Sequence, residues 1–307
     1  MKIGVLTSGG DCPGLNAVIR AIVRKADKYG FEMIGILNGW KGVFDESYKP
    51  LTMNSVAGII SRGGTILGTS RFSPFQEKHG AEILKHKIAK EEFNAIISIG
   101  GEGSMHIAQL AFELGINVVG VPKTIDNDIY GTDYSFGFDT AVGIATDAID
   151  RLHTTAESHH RIMILEVMGR HAGWIALYSG IAGGADVVII PEKKIKIDDV
   201  LEVLKSRYTR GKLFSIIVVA EGASFLEDEI QETNRNKKHD SFGRERLGGI
   251  SYYLAEEIEK RTGFDTRATI LGYVQRGGIP SAFDRMLGTR LGVYAVEMIK
   301  DGKFGRM

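Results

Sequence analysis

The chain of 307 residues carries 38 Lys plus Arg against 38 Asp plus Glu. That balance excludes a general polyanion binder and leaves any phosphate affinity to local sites. Its one cysteine, Cys12, excludes an internal disulfide, and no apolar run approaches the ~20 residues that span a bilayer.

The opening run from Met1 to Leu6 passes straight into Thr7-Ser8-Gly9-Gly10 and lacks the form of a secretory leader. A cytoplasmic protein with no membrane or nucleic-acid partner is expected. Residues 2–7 read as a buried strand. A helix follows over 15–29, with Val18, Ile19, Ile22, Val23 and Ala26 at helical spacing. Next come a strand over 33–37, a loop over 39–48, a strand over 95–99, a helix over 104–114 and a strand over 118–121. The second half reads as helix 139–153, strand 162–167, helix 172–181, strand 187–190, helix 197–207 and strand 215–220. A charged, Asn-containing surface insertion is expected over 225–246. Helix 248–261, strand 268–271 and helix 282–300 complete the chain. This length suits about two domains, and the βαβα rhythm implies mostly parallel sheets covered by helices, an α/β protein.

Ligands of such sheets sit beyond the carboxyl ends of the strands, and the unusual residues fall there. Thr7-Ser8-Gly9-Gly10-Asp11-Cys12-Pro13-Gly14 joins a strand to a helix. Glycine lets the backbone approach a phosphate and point N–H groups at it; a ligand-free tight turn fits this stretch equally well. Gly100-Gly101-Glu102-Gly103-Ser104 is a second such turn. Its carboxylate, Glu102, suits a bridging Mg²⁺, which binds through one or two carboxylates plus phosphate oxygens. Thr124-Ile125-Asp126-Asn127-Asp128 follows a third strand. If extended, it turns both carboxylates to one side, with Asp126 as the base that accepts the proton of an attacking hydroxyl. Asp128 then orients that base or helps hold the metal. Arg71, Arg161, Arg170, Arg267 and Arg276 lie near predicted strand or loop ends and are suited to bidentate phosphate binding; two phosphate sites, for donor and acceptor, are expected. The histidines show no metal-ligand spacing.

These motifs, together with Glu166 to Gly173 (EVMGRHAG) and Leu271 to Gly278 (LGYVQRGG), resemble the bacterial 6-phosphofructokinases from the first strand to nearly the last residue. The resemblance implies two Rossmann-like domains. The larger, nucleotide-binding one takes residues 1–137 plus 275–300. The smaller, sugar-phosphate-binding one takes 138–274 plus 301–307. It implies ATP as donor, Mg²⁺, and fructose 6-phosphate as acceptor. Gly10, Arg71, Phe72, Gly101, Glu102, Gly103 and Ser104 match positions that hold ATP, with Glu102 toward the metal. Thr124, Ile125 and Asp126 match sugar-phosphate contacts, as do Met168, Gly169, Arg170, Glu221, Tyr273, Val274, Gln275 and Arg276. Asp126 matches the proton acceptor, and Thr124, Arg71 and Arg170 stabilise charge on the moving group. A homotetramer is implied, in which Arg161 and Arg267 reach a neighbouring subunit's site.

Three departures stand out. Lys123 replaces the glycine of ATP-dependent members and is typical of pyrophosphate-dependent relatives, whereas Gly103 replaces the aspartate those relatives carry. The pair resembles the family's mixed-substrate branch; ATP is the expected donor, and a diphosphate-dependent enzyme is the alternative. A non-catalytic sugar-phosphate sensor is a further alternative, against which the retained Asp126 and Glu102 speak. Arg20 and Arg24 match effector-site arginines, but Met53 and His153 stand where arginines are usual. Relatives continue past the position of Met307, so the sequence reads as a shortened chain.

Overall fold

The computed structural model describes residues 1–226 and 248–307. Its contacts divide the chain into two units, Met1–Thr140 with Arg276–Met307, and Ala141–Gln275. Each is a mainly parallel sheet with helices packed on it.

In the first unit the strands are β1 (Lys2–Ser8), β2 (Glu32–Ile36), β3 (Tyr48–Leu51), β4 (Ala95–Gly100), β5 (Val118–Thr124) and β6 (Phe136–Gly137), in the order β3-β2-β1-β4-β5-β6. All pairs are parallel except β2 with β3. The central strands are unbroken apolar runs because both faces are buried. From β1 the chain moves to β2 on one side and later to β4 on the other. The carboxyl ends of β1 and β4 therefore flank a topological switch point, where open α/β sheets bind ligands. The helices are α1 (Leu15–Asp27), α2 (Trp40–Phe44), α3 (Gly80–Lys90) and α4 (Glu102–Glu113).

A long helix, α5 (Phe138–His159), leads into the second unit. There β7 (Ile162–Val167), α6 (Trp174–Ala182), β8 (Val187–Ile189), α7 (Ile197–Thr209), β9 (Ser215–Ala220), α8 (Ile250–Thr262) and β10 (Thr266–Ile270) build an all-parallel sheet of order β10-β7-β9-β8. Its core on the α7 and α8 side joins Ile164, Ile217, Val219, Leu201, Leu204, Leu254 and Ile258. The last helix, α9 (Ala282–Lys300), packs on α1 of the first unit. The approach is close: a Cβ at Gly292 would lie 2.7 Å from the Val18 carbonyl oxygen. Lys25 and Glu297 pair across the same contact at 2.6 Å. Among the described residues no helix is long and apolar enough to cross a membrane.

The structure corrects several expectations. The loop over 39–48 contains α2, whose Trp40 and Val43 are fully buried. The helix over 139–153 runs on to His159, because Ala145, Ile149 and Ala156 keep one buried face at helical spacing. Of the insertion expected over 225–246, Phe225 is instead buried and bridges to Ile195; residues 227–246 lie outside the described residues. Residues 301–307, expected in the smaller domain, belong to the first unit. There β6 pairs only with Lys123 and Thr124, leaving the start of β5 open on that edge. Gly305 N–H donates to Val118 O, and Gly120 N–H donates to Arg306 O, both at 2.8 Å.

The returning chain is tied down by a buried polar ring. Asp284 Oδ2 accepts from Thr140 N–H at 2.8 Å and from its hydroxyl at 2.5 Å. Thr140 Oγ1 accepts from Ser281 N–H, and the Ser281 hydroxyl caps α9 by accepting from Asp284 N–H. Burial pushes the Asp284 carboxyl above its ordinary pKa, against the hydrogen bonds from Thr140. The folded protein then binds this proton more tightly than the unfolded chain does. The contribution is full below the unfolded value and is lost as pH rises through the folded one. Chemical denaturation at pH values rising from about 4, the ordinary carboxyl value, is expected to show that decline in the wild type and not in Asp284→Asn. Asp284→Ala strands two buried donors and is expected to cost about 2–3 kcal/mol.

Candidate functional site

Three of the sequence motifs meet at one edge of the first sheet. The turn after β1 leads into α1, with Gly9 at φ 82° and Gly14 at φ 106°, backbone that a side chain would strain. Gly14 is also crowded, since a Cβ there would lie 2.8 Å from the Phe136 ring. The turn after β4 runs Gly100 to Ser104 and starts α4, with Gly101 as N-cap and Glu102 in the first turn. A Cβ on Gly100 would collide with Ser104 and with the Ser8 carbonyl, and one on Gly9 would touch Ser104 Oγ. The two glycine turns thus lie side by side at the switch point. The start of α4 adds a favourable dipole for an anion there.

The third motif follows β5. Lys123 is 4% exposed, and its ammonium donates to the Gly10 carbonyl. Burial lowers its pKa, with Arg276 acting the same way, while Cys12, Asp11 and Asp126 oppose the fall. Asp126 therefore lies within electrostatic reach of the first glycine turn. Its N–H donates to Thr124 Oγ1 at 3.1 Å. The stretch does not meet the condition of extended backbone set above: β5 ends at Thr124 and Asn127 is left-handed at φ 52°. Asn127 bonds to Ser135 N–H, the Ser135 hydroxyl and the Asp133 carbonyl, which bends the chain away from the strand line. Asp128 is exposed and accepts the Thr124 hydroxyl at 3.1 Å.

The remaining first-unit residues are mixed. Arg71 is exposed, while Phe72 is half-buried and packs edge-on against Phe44 at 5.0 Å. Ile125 is buried, so only its backbone can meet a ligand. Arg276 NH1 donates to the Asp11 carbonyl at 3.1 Å. Glu102 is exposed, and among the described residues no three His, Cys, Asp or Glu gather as a metal cluster. That donor set fits an ion held by one carboxylate and shared with phosphate oxygens, the usual mode of Mg²⁺.

In the second unit, Met168, Gly169 and Arg170 follow β7, Glu221 follows β9, and β10 is followed by a 3₁₀ turn, Gly272–Arg276, whose last residue already belongs to the first unit. They share one end of the sheet. Gly169 sits at φ 138°, and Gly222 N–H donates to its carbonyl at 3.0 Å. Tyr273 and Val274 are exposed, but Gln275 is fully buried and accepts Met168 N–H at 2.7 Å. It braces the Met168 loop from within. Arg161 and Arg267 fall elsewhere: they stand at the amino ends of β7 and β10, the opposite end of the same strands. Asp265 pairs with both, at 2.5 and 2.6 Å. The prediction that all five arginines sit at ligand-facing ends is corrected accordingly.

Some supporting residues went unread in the sequence. Glu166 is buried, and its carboxylate accepts from Gly249 N–H, Ser251 N–H and the Ser251 hydroxyl at 2.6–3.1 Å. Asn16, buried on α1, holds Arg62 O, Gly63 O and Ile66 N–H. A lone polar residue within an apolar run was the available signal in both cases.

Fold and site together define a phosphate-handling α/β protein. Residues 2–299 match the family model described as Phosphofructokinase. The pyrophosphate–fructose 6-phosphate 1-phosphotransferase of Streptomyces coelicolor is 54% identical over 309 residues, spanning all of this chain and 90% of that protein. The ATP-dependent 6-phosphofructokinase 2 of the same organism is 52% identical over 308 residues, with 100% and 90% covered. Among solved structures, phosphofructokinase from Saccharomyces cerevisiae superposes with a TM-score of 0.84 at 32% identity. That match covers 98% of this chain but 42% of the yeast one. The chain belongs to the phosphofructokinase family.

Cys12 lies under the first glycine turn, its Sγ against the Phe136 carbonyl at 3.6 Å. Burial pushes its thiol up to about 12, outweighing Lys123 and Arg276, which pull it down. Iodoacetamide at about pH 8 should leave the native protein unmodified and alkylate one site after denaturation, as read by intact mass.

Proposed function

We propose that this chain transfers the γ-phosphoryl group of ATP to the 1-hydroxyl of fructose 6-phosphate, giving fructose 1,6-bisphosphate and ADP. The observation that carries the reading is the meeting of the two glycine turns with Lys123 and Asp126 at the ends of β1, β4 and β5. The turns and Arg71 hold the donor phosphates, with Phe72 beside them. Asp126 takes the proton of the attacking hydroxyl, and Thr124 and Arg170 meet charge on the moving group. Glu102 holds Mg²⁺ together with the donor; the ion neutralises phosphate charge when bound. For the sugar phosphate the roles follow the resemblance: Met168, Gly169, Arg170, Glu221, Tyr273 and Val274 in the second unit, braced from behind by Gln275, and the Ile125 backbone and Arg276 in the first. The first unit serves the nucleotide and the second the sugar phosphate.

Gly103 supports ATP. Its φ is not left-handed, and a Cβ there would meet nothing within 4 Å. The fold itself does not demand glycine at this point, so the missing side chain is read as room for the donor. A diphosphate-dependent enzyme is the second reading, favoured by Lys123 and by the name of the 54% identical relative. The placement of Arg161 and Arg267 at the far end of β7 and β10 supports a homotetramer in which each subunit lends them to a neighbour.

Coupled assays of fructose 6-phosphate with ATP and with pyrophosphate decide the donor; turnover with pyrophosphate alone would sink the ATP reading. Gly103→Asp is expected to raise the KM for ATP by on the order of 10²-fold, through like-charge repulsion at the phosphates. Asp126→Asn is expected to lower kcat by about 10²- to 10⁴-fold at similar KM; intact turnover would remove it as the base.

A further inference from the structure

Three successive carbonyls of the first glycine turn are each held by a side-chain donor from another part of the chain. Gly9 O accepts from Thr69 Oγ1 at 2.7 Å, Gly10 O accepts from Lys123 Nζ, and Asp11 O accepts from Arg276 NH1 at 3.1 Å. A trans peptide is planar, and its C=O and N–H point in opposite directions. Pinning the carbonyls of residues 9, 10 and 11 therefore turns the N–H groups of Gly10, Asp11 and Cys12 the other way. Those are the groups that a phosphate at this turn would meet.

Lys123 is the demanding member of this set. Its strand, β5, is separated from β1 by β4, so the bond ties together the ends of two strands that are not neighbours. An ammonium with 4% exposure costs free energy unless it is bonded and charge-compensated. The Gly10 carbonyl provides the bond, and Asp11 and Asp126 provide the opposite charge. A group buried under the backbone in this way acts on the turn, not on the donor directly.

We infer that Lys123 is a positioning residue for the phosphoryl donor: it orients the N–H groups of the first glycine turn and serves whichever donor binds there. The inference rests on the reading that this turn holds the donor's phosphates. In that role Lys123 is compatible with ATP as well as with pyrophosphate, and the space at Gly103 is the feature that favours ATP.

The test compares wild type, Lys123→Met and Lys123→Ala by calorimetric titration with Mg·ADP and by steady-state kinetics. The expected result is a loss of Mg·ADP affinity of about 10- to 100-fold in both variants, the range for a hydrogen bond to a charged group. The KM for fructose 6-phosphate should stay within about twofold. Ethylammonium or propylammonium should restore part of the affinity to Lys123→Ala and none to Lys123→Met, whose side chain fills the space. Unchanged nucleotide affinity overturns the inference, as does a loss confined to the sugar-phosphate KM or to kcat. Failure of both variants to fold also overturns it, by making Lys123 a structural residue only. A wild type that neither binds nucleotide nor turns over removes the functional reading itself. A wild type that does both, with unaffected variants, removes only the role of Lys123.

Discussion

The site depends on the parallel pairing of β1 with β4 and of β4 with β5. Parallel strands end on the same edge, so whatever follows each strand in sequence is delivered to one place. Here that rule assembles a first glycine turn, a second glycine turn and the Thr124–Asp128 stretch, which are far apart along the chain. The reversal of strand order at β1 leaves the gap between the first two turns open to a ligand. Contact between the turns then limits their composition. Gly100 leaves space for Ser104 and the Ser8 carbonyl, and Gly9 lies against Ser104. Glycine at these points serves packing as much as phosphate approach.

Charge at this edge is used in an unexpected way. Lys123 and Arg276, two cations at the first turn, are bonded to its carbonyl oxygens. Cys12 shares their buried surroundings and is held in its neutral form. The positive ends of the peptide groups are thus turned outward by cations placed behind them. In the second unit, Gln275 and Glu166 do comparable work. One amide holds the loop after β7, and one carboxylate holds the start of α8.

Family membership and donor choice rest on different scales of evidence. The family follows from motifs spread over nearly the whole chain and from a fold shared with the yeast enzyme at a TM-score of 0.84. The proposed donor is read instead from single residues, Gly103 and Lys123. Relatives whose names specify pyrophosphate and ATP are similar to this chain at 54% and 52% identity. Overall identity therefore cannot rank the donors, and local space at Gly103 carries more weight than the global score.

Much of the fold was legible in the sequence, for a physical reason. Strands buried on both faces must be continuous apolar runs, so 162–167 and 215–220 were read to the residue. α9 was equally clear, between a serine cap and a following glycine. Helix α3 was missed because only Leu84 and Ile88 mark its buried side amid charged neighbours. The chemical types at strand ends were legible too, since ligand turns need glycine, carboxylate and arginine. Their directions were not. The stretch after β5 bends because Asn127 bonds across to Ser135 and takes a left-handed backbone. Arg161 and Arg267 occupy the far end of their strands, and Lys123 turns under the sheet edge to Gly10. Sequence alone determined which residue types follow which strands, because local pattern sets secondary structure. Only the tertiary structure decided which way each side chain turns, because long-range hydrogen bonds and burial act between residues the sequence does not show to be neighbours.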